Sequence, residues 1–217
     1  MISKFPFSAV LLAAGTSSRM EGQFKQLLPL PTPTGDAEPV VRITARALLA
    51  AEPEEIVVVT GHRGRDVMKV LMDLPLSFAP NPRYEEGQMT SVMAGLAALQ
   101  KPCAAVMICL GDMVLVRPDD YRGLAQSFAE LSRDAILIPF HDGQRGNPVT
   151  FAASRVPEVL SGQMNPGCRK LIQDHPQDVV RLEFQHSRFT TDMDTPGDYE
   201  WLRMRLAMQA QMASSEA

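Results

Sequence analysis

Cysteine is scarce in this chain of 217 residues, which contains only Cys103, Cys109 and Cys168. Three scattered cysteines cannot make a disulfide framework or a zinc site, so we expect reduced thiols of a cytoplasmic protein. An excess of positive charge is also missing, since the formal net charge is −4 at pH 7. This charge argues against general nucleic-acid binding. Any anionic ligand must therefore be held by a few local cations or by a metal.

Long hydrophobic runs are absent as well, because no segment approaches the roughly 18 apolar residues that indicate a membrane span. The short apolar run near the N-terminus is interrupted by Pro6 and passes directly into a glycine turn. This pattern favours a first buried strand over a signal peptide. The sequence thus predicts a cytoplasmic protein that binds neither membranes nor nucleic acids.

Short apolar runs alternate with amphipathic segments throughout the chain, which is long enough for one well-packed core. We expect a single domain over residues 1–217. The predicted strands are Ala9–Ala13, Glu55–Thr60, Leu76–Ala79, Ala104–Leu110, Ala135–Pro139, Pro148–Phe151 and Val179–Glu183. The predicted helices are Val40–Ala51, Arg63–Asp73, Thr90–Gln100, Pro118–Ser132, Arg169–Asp174 and Pro196–Met212. Runs such as IVVVT and AAVMICL are typical of strands covered on both faces, so an α/β fold with a mainly parallel sheet is expected.

Ligands of such sheets bind beyond the carboxyl ends of the strands, and the segment Val10–Pro29 lies at the first of these ends. It places a strand before a small-residue turn that carries Arg19 and Lys25. Gly15 lacks a Cβ, so backbone N–H groups there can approach a phosphate that the two cations neutralise. The segment has neither the dinucleotide fingerprint nor the P-loop pattern. Its own residues fit an ordinary strand-to-helix turn equally well.

Aspartates in two parts of the chain are candidates for binding a metal. Asp112 follows a predicted strand that has no charged residue, and a carboxylate facing a triphosphate suits Mg²⁺. Asp192 and Asp194 are two residues apart, so both point to one side if the chain is extended there. The alternative at both positions is capping: Asp112 can cap the next turn, and Asp194 or Thr195 can be the N-cap of the last helix.

Three further segments have both a structural and a functional interpretation. Gly87–Ser91 opens a helix and offers N–H and hydroxyl donors to an anion. Arg145–Val149 is either a simple turn or a loop whose Arg145 and Asn147 face a substrate. The methionines of the last helix are expected to pack in the core rather than to form an interface; they are Met204, Met208 and Met212.

Six segments, in this order, resemble the MobA-like nucleotidyltransferases and, within them, the MocA-type molybdenum cofactor cytidylyltransferases. They are LLAAGTSSRM…K (Leu11–Lys25), GHRG (Gly61–Gly64), GQMTSVMAGL (Gly87–Leu96), LGDM (Leu110–Met113), RGNPV (Arg145–Val149) and DMDTPGDY (Asp192–Tyr199). The resemblance implies a Rossmann-like, three-layer nucleotidyltransferase fold with a mainly parallel mixed sheet. It also implies an Mg²⁺-dependent transfer of a nucleoside monophosphate to a phosphorylated acceptor, with release of pyrophosphate.

The same resemblance assigns roles to individual residues. The implied catalytic residues are Arg19, Lys25 and Asp112. The implied metal ligands are Asp112 and Asp194, with Asp192 as a nearby competitor. The implied nucleotide-binding residues are Leu12, Ala13, Ala14, Gly15, Ser18, Arg19, Lys25, Gly61, Ser91, Gly111, Asp112 and Asn147.

The donor implied by the resemblance is CTP rather than GTP. Gln88–Ser91 stands where guanylyltransferases of this superfamily have a Gly-Pro-Leu-Ala-Gly-type segment, and Asp192–Asp194 replaces their Asn-x-Asn-Thr-Pro motif. The implied acceptor is Mo-molybdopterin, and the implied protein partner is a molybdenum enzyme or its maturation chaperone. The insert Pro31–Ala37 departs from the family pattern, and we expect it to be a surface loop.

Two alternatives to this function stay open. One is an enzyme of the same fold that uses GTP or another acceptor, such as a sugar phosphate or methylerythritol phosphate. The other is a nucleotide-binding maturation protein that has lost turnover, although such a binder would not need carboxylates for a metal beside its phosphate loop.

Overall fold

A computed structural model describes residues 5–161 and 168–215. The strands are β1 (Phe7–Ala13), β2 (Pro29–Pro31), β3 (Ala37–Pro39), β4 (Ile56–Thr60), β5 (Ser77–Pro80), β6 (Ala105–Leu110), β7 (Ile136–His141), β8 (Gln144–Arg145), β9 (Val149–Ala152) and β10 (Val179–Glu183). The α-helices are α1 (Val40–Leu49), α2 (Gly64–Leu71), α3 (Gln88–Ala97), α4 (Pro118–Ala129), α5 (Val156–Ser161), α6 (Arg169–Asp174) and α7 (Pro196–Ser215). Among these described residues, no helix has both the length and the hydropathy needed to cross a membrane.

The central sheet is mixed and mainly parallel, as predicted. Its strand order is β10-β7-β9-β6-β1-β4-β5, and β8 pairs with β7. Strand β1 runs parallel to both β4 and β6, while β5 and β10 run parallel to β4 and β7. Among the described strands of this sheet, only β8 and β9 run antiparallel to their neighbours: β8 to β7, and β9 to β6 and β7.

The register of the central strands brings three loops to one edge of the sheet. Ala13 at the end of β1 is paired with Thr60 at the end of β4. On the other side of β1, Leu12 is paired with Leu110, the last residue of β6. Because parallel strands end at the same edge, the loops that follow β1, β4 and β6 all begin there.

Helices cover both faces of the sheet, which gives the three layers that were predicted. Along β1, Ala9 and Leu11 belong to the core shared with α1, α2 and α4. The alternate residues Val10 and Leu12 belong to the core shared with α3, α5 and α6. Helix α3 lies very close to the sheet, because a Cβ on Gly95 would stand 2.2 Å from Val10 Cγ1.

The predicted strands and helices are all present, with ends displaced by at most three residues. The ends of β10 and α6 agree with the prediction. Helix α5 was not predicted. The strands β2, β3 and β8 were missed because two or three residues are too few to show an apolar alternation.

The expectation of a surface loop over the insert Pro31–Ala37 is confirmed for residues 32–36, which form a turn, and is wrong for the two end residues. Its ends belong to the hairpin of β2 and β3, in which Leu30 is paired with Glu38. Thr32 N–H donates to the carbonyl of Asp36 at 2.8 Å, which closes the turn. Leu30 is fully buried in a third, smaller core beneath α7. The insert is thus the turn of a short β-ribbon, and Leu30 of this ribbon packs against the C-terminal helix.

The prediction that the methionines of α7 pack in the core is also wrong. Met204, Met208 and Met212 are 56%, 66% and 65% exposed. The core side of α7 is formed instead by Leu202 and Ala210, which are buried. Apolar residues lie on two sides of this helix, so their periodicity alone could not indicate which side faces the core.

Candidate active site

The loop that follows β1 folds back over the sheet edge and carries Lys25 to it. Ser17 has a left-handed backbone conformation, with φ of 57°, and its hydroxyl accepts a hydrogen bond from Lys25 N–H at 3.1 Å. Met20 is fully buried and anchors the middle of the loop. A Cβ on Gly15 would meet no atom within 4 Å. The backbone at Gly15 is therefore open to a ligand, and packing does not require glycine there.

Lys25 joins two carboxylates that come from distant parts of the chain. Its ammonium donates to Asp112 Oδ2 and, at 3.0 Å, to Asp194 Oδ1. The Asp112 side chain is only 7% exposed and that of Lys25 14%. Arg19 contacts the other oxygen of Asp194 at 2.7 Å, but its own side chain is 66% exposed. The four side chains predicted to be central to the site, including Arg19, therefore form one ion-pair cluster.

The charges of this cluster determine the protonation of Lys25. Burial by itself lowers the pKa of the ammonium, since it disfavours the charged form. The charges and hydrogen bonds of Asp112 and then of Asp194 outweigh burial, and the pKa of Lys25 is raised above its usual value. Lys25 is therefore a permanent cation in this site at neutral pH.

Asp192 and Asp194 lie on the same side of the segment before α7, as their spacing predicted. Met193 between them is fully buried, so it holds the segment while both carboxylates line one cleft. Burial, and then the negative charges of Asp194 and Asp112, raise the pKa of Asp192. Asp192 has no ion-pair partner among residues 5–161 and 168–215.

The capping alternative for this segment applies to Thr195. Its hydroxyl accepts the N–H of Asp198 at 3.2 Å, and Asp198 Oδ2 accepts the N–H of Thr195 at 2.8 Å. The Asp194 carboxylate binds Lys25 and Arg19 instead, and the Asp112 carboxylate binds Lys25. Neither aspartate caps a turn or helix through its side chain, and both belong to the ion-pair cluster of the cleft.

The cleft above the sheet edge has a volume of about 310 Å³. Nine of the predicted site residues line it: Leu12, Ala14, Gly15, Arg19, Lys25, Ser91, Asp112, Asp192 and Asp194. Four residues that were not predicted line it as well: Gln26, Tyr84, Gln88 and Leu110. The loops after β1 and β6, the start of α3 and the segment before α7 thus contribute to one cavity.

Five predicted residues do not line the cleft. Ala13 is fully buried in the core on the other face of the sheet, and Ser18 is exposed on the outside of its loop. Asn147 donates its N–H to the carbonyl of Phe189 at 2.9 Å. Gly61 and Gly111 lie beneath residues that do line the cleft, and both act through their lack of a side chain.

These two glycines explain how unpredicted residues reach the cleft. A Cβ on Gly61 would stand 2.7 Å from the Tyr84 side chain and 2.8 Å from the Ala14 carbonyl oxygen. A Cβ on Gly111 would stand 2.8 Å from Gln26 Oε1. Glycine at both strand ends therefore leaves the space that Tyr84 and Gln26 occupy. The only available signal for Gln26 was its position directly after Lys25.

Gln26 is 3% exposed, and its Oε1 has no hydrogen-bond partner in the described part of the chain. A buried polar atom without a partner costs about 1–3 kcal/mol. The carboxamide lies between the ends of β1 and β6, beside the Leu12 carbonyl oxygen that also crowds the Cβ position of Gly111. The oxygen itself is covered by protein, so other atoms of the Gln26 side chain line the cleft.

A buried hydrogen-bond network fixes the start of α3, which sequence reasoning also missed. Asn81 is 5% exposed, and its side-chain N–H groups donate to Thr90 Oγ1 at 2.8 Å and Ser91 Oγ at 2.9 Å. The oxygen of the same amide accepts Arg83 N–H at 2.9 Å. Gly87, with φ of 117°, turns the chain into the helix. The network holds Ser91 at the cleft.

The carboxylates of the cleft fit a shared metal site better than a complete metal cage. No group of three or more histidine, cysteine or carboxylate side chains in the described ranges is arranged to hold a metal alone. Mg²⁺ usually takes one or two carboxylates together with substrate phosphates. The hard oxygen donors of Asp112, Asp194 and Asp192 along one cleft match that type of site.

The mixed, mainly parallel sheet with helices on both faces and a charged cleft at its carboxyl edge defines an α/β protein of the Rossmann-like class. The sequence profile described as the MobA-like NTP transferase domain matches residues 9–179. This chain belongs to that family. The predicted family, and with it the nucleotidyltransferase class, is confirmed.

Individual relatives agree with this assignment. The molybdenum cofactor cytidylyltransferase of Escherichia coli K12 is 27% identical over 193 residues, which cover 88% of this chain and 92% of the relative. A nucleotidyl transferase from Methanothermobacter thermautotroptrophicus has a TM-score of 0.76 and 22% identity, covering 94% and 98% of the two chains. Rv0371c of Mycobacterium tuberculosis H37Rv in complex with manganese has a TM-score of 0.75 and 20% identity, covering 93% and 100%. At these identities the two structures show the fold alone.

We predict that Asn81→Ala lowers the free energy of unfolding by about 1–3 kcal/mol, because it removes the three hydrogen bonds of a buried side chain. Urea titration followed by circular dichroism measures the loss. Gln100→Ala removes an exposed amide beyond the other end of α3 and is the control, with an expected change within about 0.5 kcal/mol. Equal stabilities of the two variants would contradict the role given to Asn81.

Proposed function

We propose that this chain, as a single domain over residues 1–217, transfers CMP from CTP to a phosphorylated acceptor and releases pyrophosphate. The acceptor we propose is Mo-molybdopterin. The observation that carries the proposal is the cluster in which Lys25 and Arg19 meet Asp112 and Asp194 at the carboxyl edge of the sheet. Support for the acceptor comes from the E. coli relative, which is a molybdenum cofactor cytidylyltransferase.

In this reaction an oxygen of the acceptor phosphate attacks the α-phosphorus of CTP. The bond from that phosphorus to the oxygen bridging the α- and β-phosphates breaks, and pyrophosphate leaves with the electron pair. Such transfers need little covalent chemistry from the protein, so positioning and neutralisation of charge provide most of the rate. Lys25 is the residue we assign to the charge of the transition state, because it is a permanent and largely enclosed cation. Arg19, which is more exposed, is assigned to the outer phosphates.

The nucleotide would lie along the cleft from the loop after β1 to the start of α3. The backbone of Ala14 and Gly15 and the hydroxyl of Ser91 line the cleft and are available to the base and ribose. Leu12 provides apolar contact in the floor. Gly61 and Gly111 serve this site by admitting Tyr84 and Gln26. Ala13, Ser18 and Asn147 do not line the cleft. In this proposal they bind the nucleotide either through their backbone atoms or after a shift of their loops.

We assign Mg²⁺ to Asp112 and Asp194, with Asp192 as a further ligand. When bound, the metal supplies charge neutralisation at the phosphates and orients them. The crystal structure of Rv0371c in complex with manganese, a protein that shares the fold, supports a divalent cation in this type of site. The unpaired Asp192 beside two other carboxylates supports it independently, since additional positive charge there relieves their repulsion.

CTP is preferred to GTP in this proposal because of the segment that opens α3. Gln88 and Ser91 from this segment line the cleft, so the residues that differ from the guanylyltransferase pattern are in reach of a nucleotide. The experiment below can instead show activity with GTP, or with another acceptor such as a sugar phosphate or methylerythritol phosphate. The remaining alternative is a nucleotide-binding maturation protein that has lost turnover. The protein partner we propose for the enzyme is a molybdenum enzyme or its maturation chaperone.

We predict that the purified protein with Mg²⁺ and Mo-molybdopterin releases pyrophosphate fastest with CTP. A coupled pyrophosphate assay with each of the four NTPs measures this preference, and omission of the acceptor is the control. Equal rates with GTP would contradict the choice of base. Release with CTP and a sugar phosphate, but not with Mo-molybdopterin, would contradict the acceptor.

We further predict that Asp112→Asn lowers the rate of pyrophosphate release by about a hundredfold or more, because it removes a buried charge that faces the reacting phosphates. Asp119→Asn is the matched control, since Asp119 is 89% exposed and pairs with Arg122 on the surface of α4. Thermal unfolding of both variants checks that each is folded. A rate for folded Asp112→Asn near that of the wild type would show that the catalytic site lies elsewhere.

A further inference from the structure

The position of Lys25 between two carboxylates has a consequence for metal binding. The oxygens that Lys25 contacts belong to Asp112 and Asp194, which are the same two residues assigned to Mg²⁺. Both contacts are direct, and the three side chains are 14%, 7% and 23% exposed. The ammonium thus lies where a cation shared by these carboxylates would be expected.

An ammonium and a divalent cation cannot both be close to the same pair of oxygens without strong repulsion. Their like charges repel at short range, and partial burial weakens the screening by water. The triphosphate, by contrast, is a strong acceptor for an ammonium with three N–H donors. Release of Lys25 from the carboxylates therefore leaves it with a suitable new partner whenever a nucleotide is present.

We propose that Lys25 is a resident cation that holds Asp112 and Asp194 together in the free protein and gives up this place to the divalent metal. The displaced ammonium is then available to the triphosphate. Metal binding and the position of the Lys25 ammonium are thus coupled, because the pair of Asp112 and Asp194 accepts either the ammonium or the metal but not both. The inference rests on the proposed nucleotidyl transfer for its purpose, but its direct consequence is measurable without any nucleotide.

The charge balance of the cleft supports this exchange. Three carboxylates face only two basic side chains, Lys25 and Arg19, and Asp192 has no ion pair in the described ranges. A triphosphate adds more negative charge to a site that is already short of positive charge. Moving Lys25 to the phosphates without replacing it would leave Asp112 and Asp192 without an ion pair in the described ranges, and Asp194 with Arg19 alone. A divalent cation arriving between them removes that obstacle.

The test is a titration of nucleotide-free protein with Mn²⁺, followed by the electron paramagnetic resonance signal of the free ion. Lys25→Met removes the competing charge, so this variant is expected to bind Mn²⁺ about tenfold more tightly than the wild type. Lys170→Met is the matched control, because Lys170 forms an exposed pair with Asp174 and should leave the affinity unchanged. The double variant Lys25→Met with Asp112→Asn is expected to lose the gain.

Equal or weaker Mn²⁺ binding by Lys25→Met overturns the exchange, as does a lack of measurable binding by both proteins. A gain that persists in the double variant overturns it too, since the metal would then be bound elsewhere. The result of the titration does not depend on the result of the pyrophosphate assay. The wild type can be active or inactive with CTP whether or not the Mn²⁺ titration supports the exchange.

A second measurement on the wild-type protein guards against misfolding of the variant. Acetylation by acetic anhydride, read out by mass spectrometry, reports how accessible each lysine amine is. Mn²⁺ without nucleotide is expected to increase the labelling of Lys25 relative to Lys170, because the displaced amine leaves its two carboxylates. Unchanged relative labelling at Mn²⁺ concentrations that saturate the protein overturns the exchange.

Discussion

The ion-pair cluster around Lys25 is the interaction on which the site depends. It joins the loop after β1 to Asp112, which is 87 residues away in sequence, and to Asp194, which is 169 residues away. Because all three side chains are largely enclosed, breaking one contact leaves a poorly solvated charge. The cluster therefore fixes the relative position of three segments that have no common secondary structure. It also sets the charge that any anionic ligand meets in the cleft.

The parallel register of the sheet makes this cluster geometrically available. Apolar runs such as Ile56–Thr60 could be recognised as buried strands from composition alone, and their order with the helices was sufficient to predict the parallel core. The position of Asp112 at a strand end followed from the same pattern. The choice between cap and ligand did not, because both interpretations place a carboxylate at that point. The tertiary contact with Lys25 excludes the cap, and the metal role of Asp112 stays a proposal.

Other parts of the site depend on contacts that the sequence does not encode locally. Gln26 and Tyr84 enter the cleft because Gly111 and Gly61 leave space for them, and the four residues are far apart in sequence. The network of Asn81 joins the loop after β5 to α3 in the same way. The exposed methionine side of α7 was mistaken for a core side because periodicity does not identify which neighbour a helix face meets. The positions of all but the shortest strands and of every helix except α5 were thus predictable, whereas the partners of individual side chains were not.

The fold, the family and the cleft together support an enzyme that holds a nucleoside triphosphate against Lys25 and a carboxylate-bound metal. A crystal structure of the protein soaked with CTP and Mg²⁺ tests this central claim most directly. The account predicts the triphosphate in the cleft, in contact with Lys25, and the metal between Asp112 and Asp194. A nucleotide bound outside the cleft, with Lys25 still joining the two carboxylates, would contradict it.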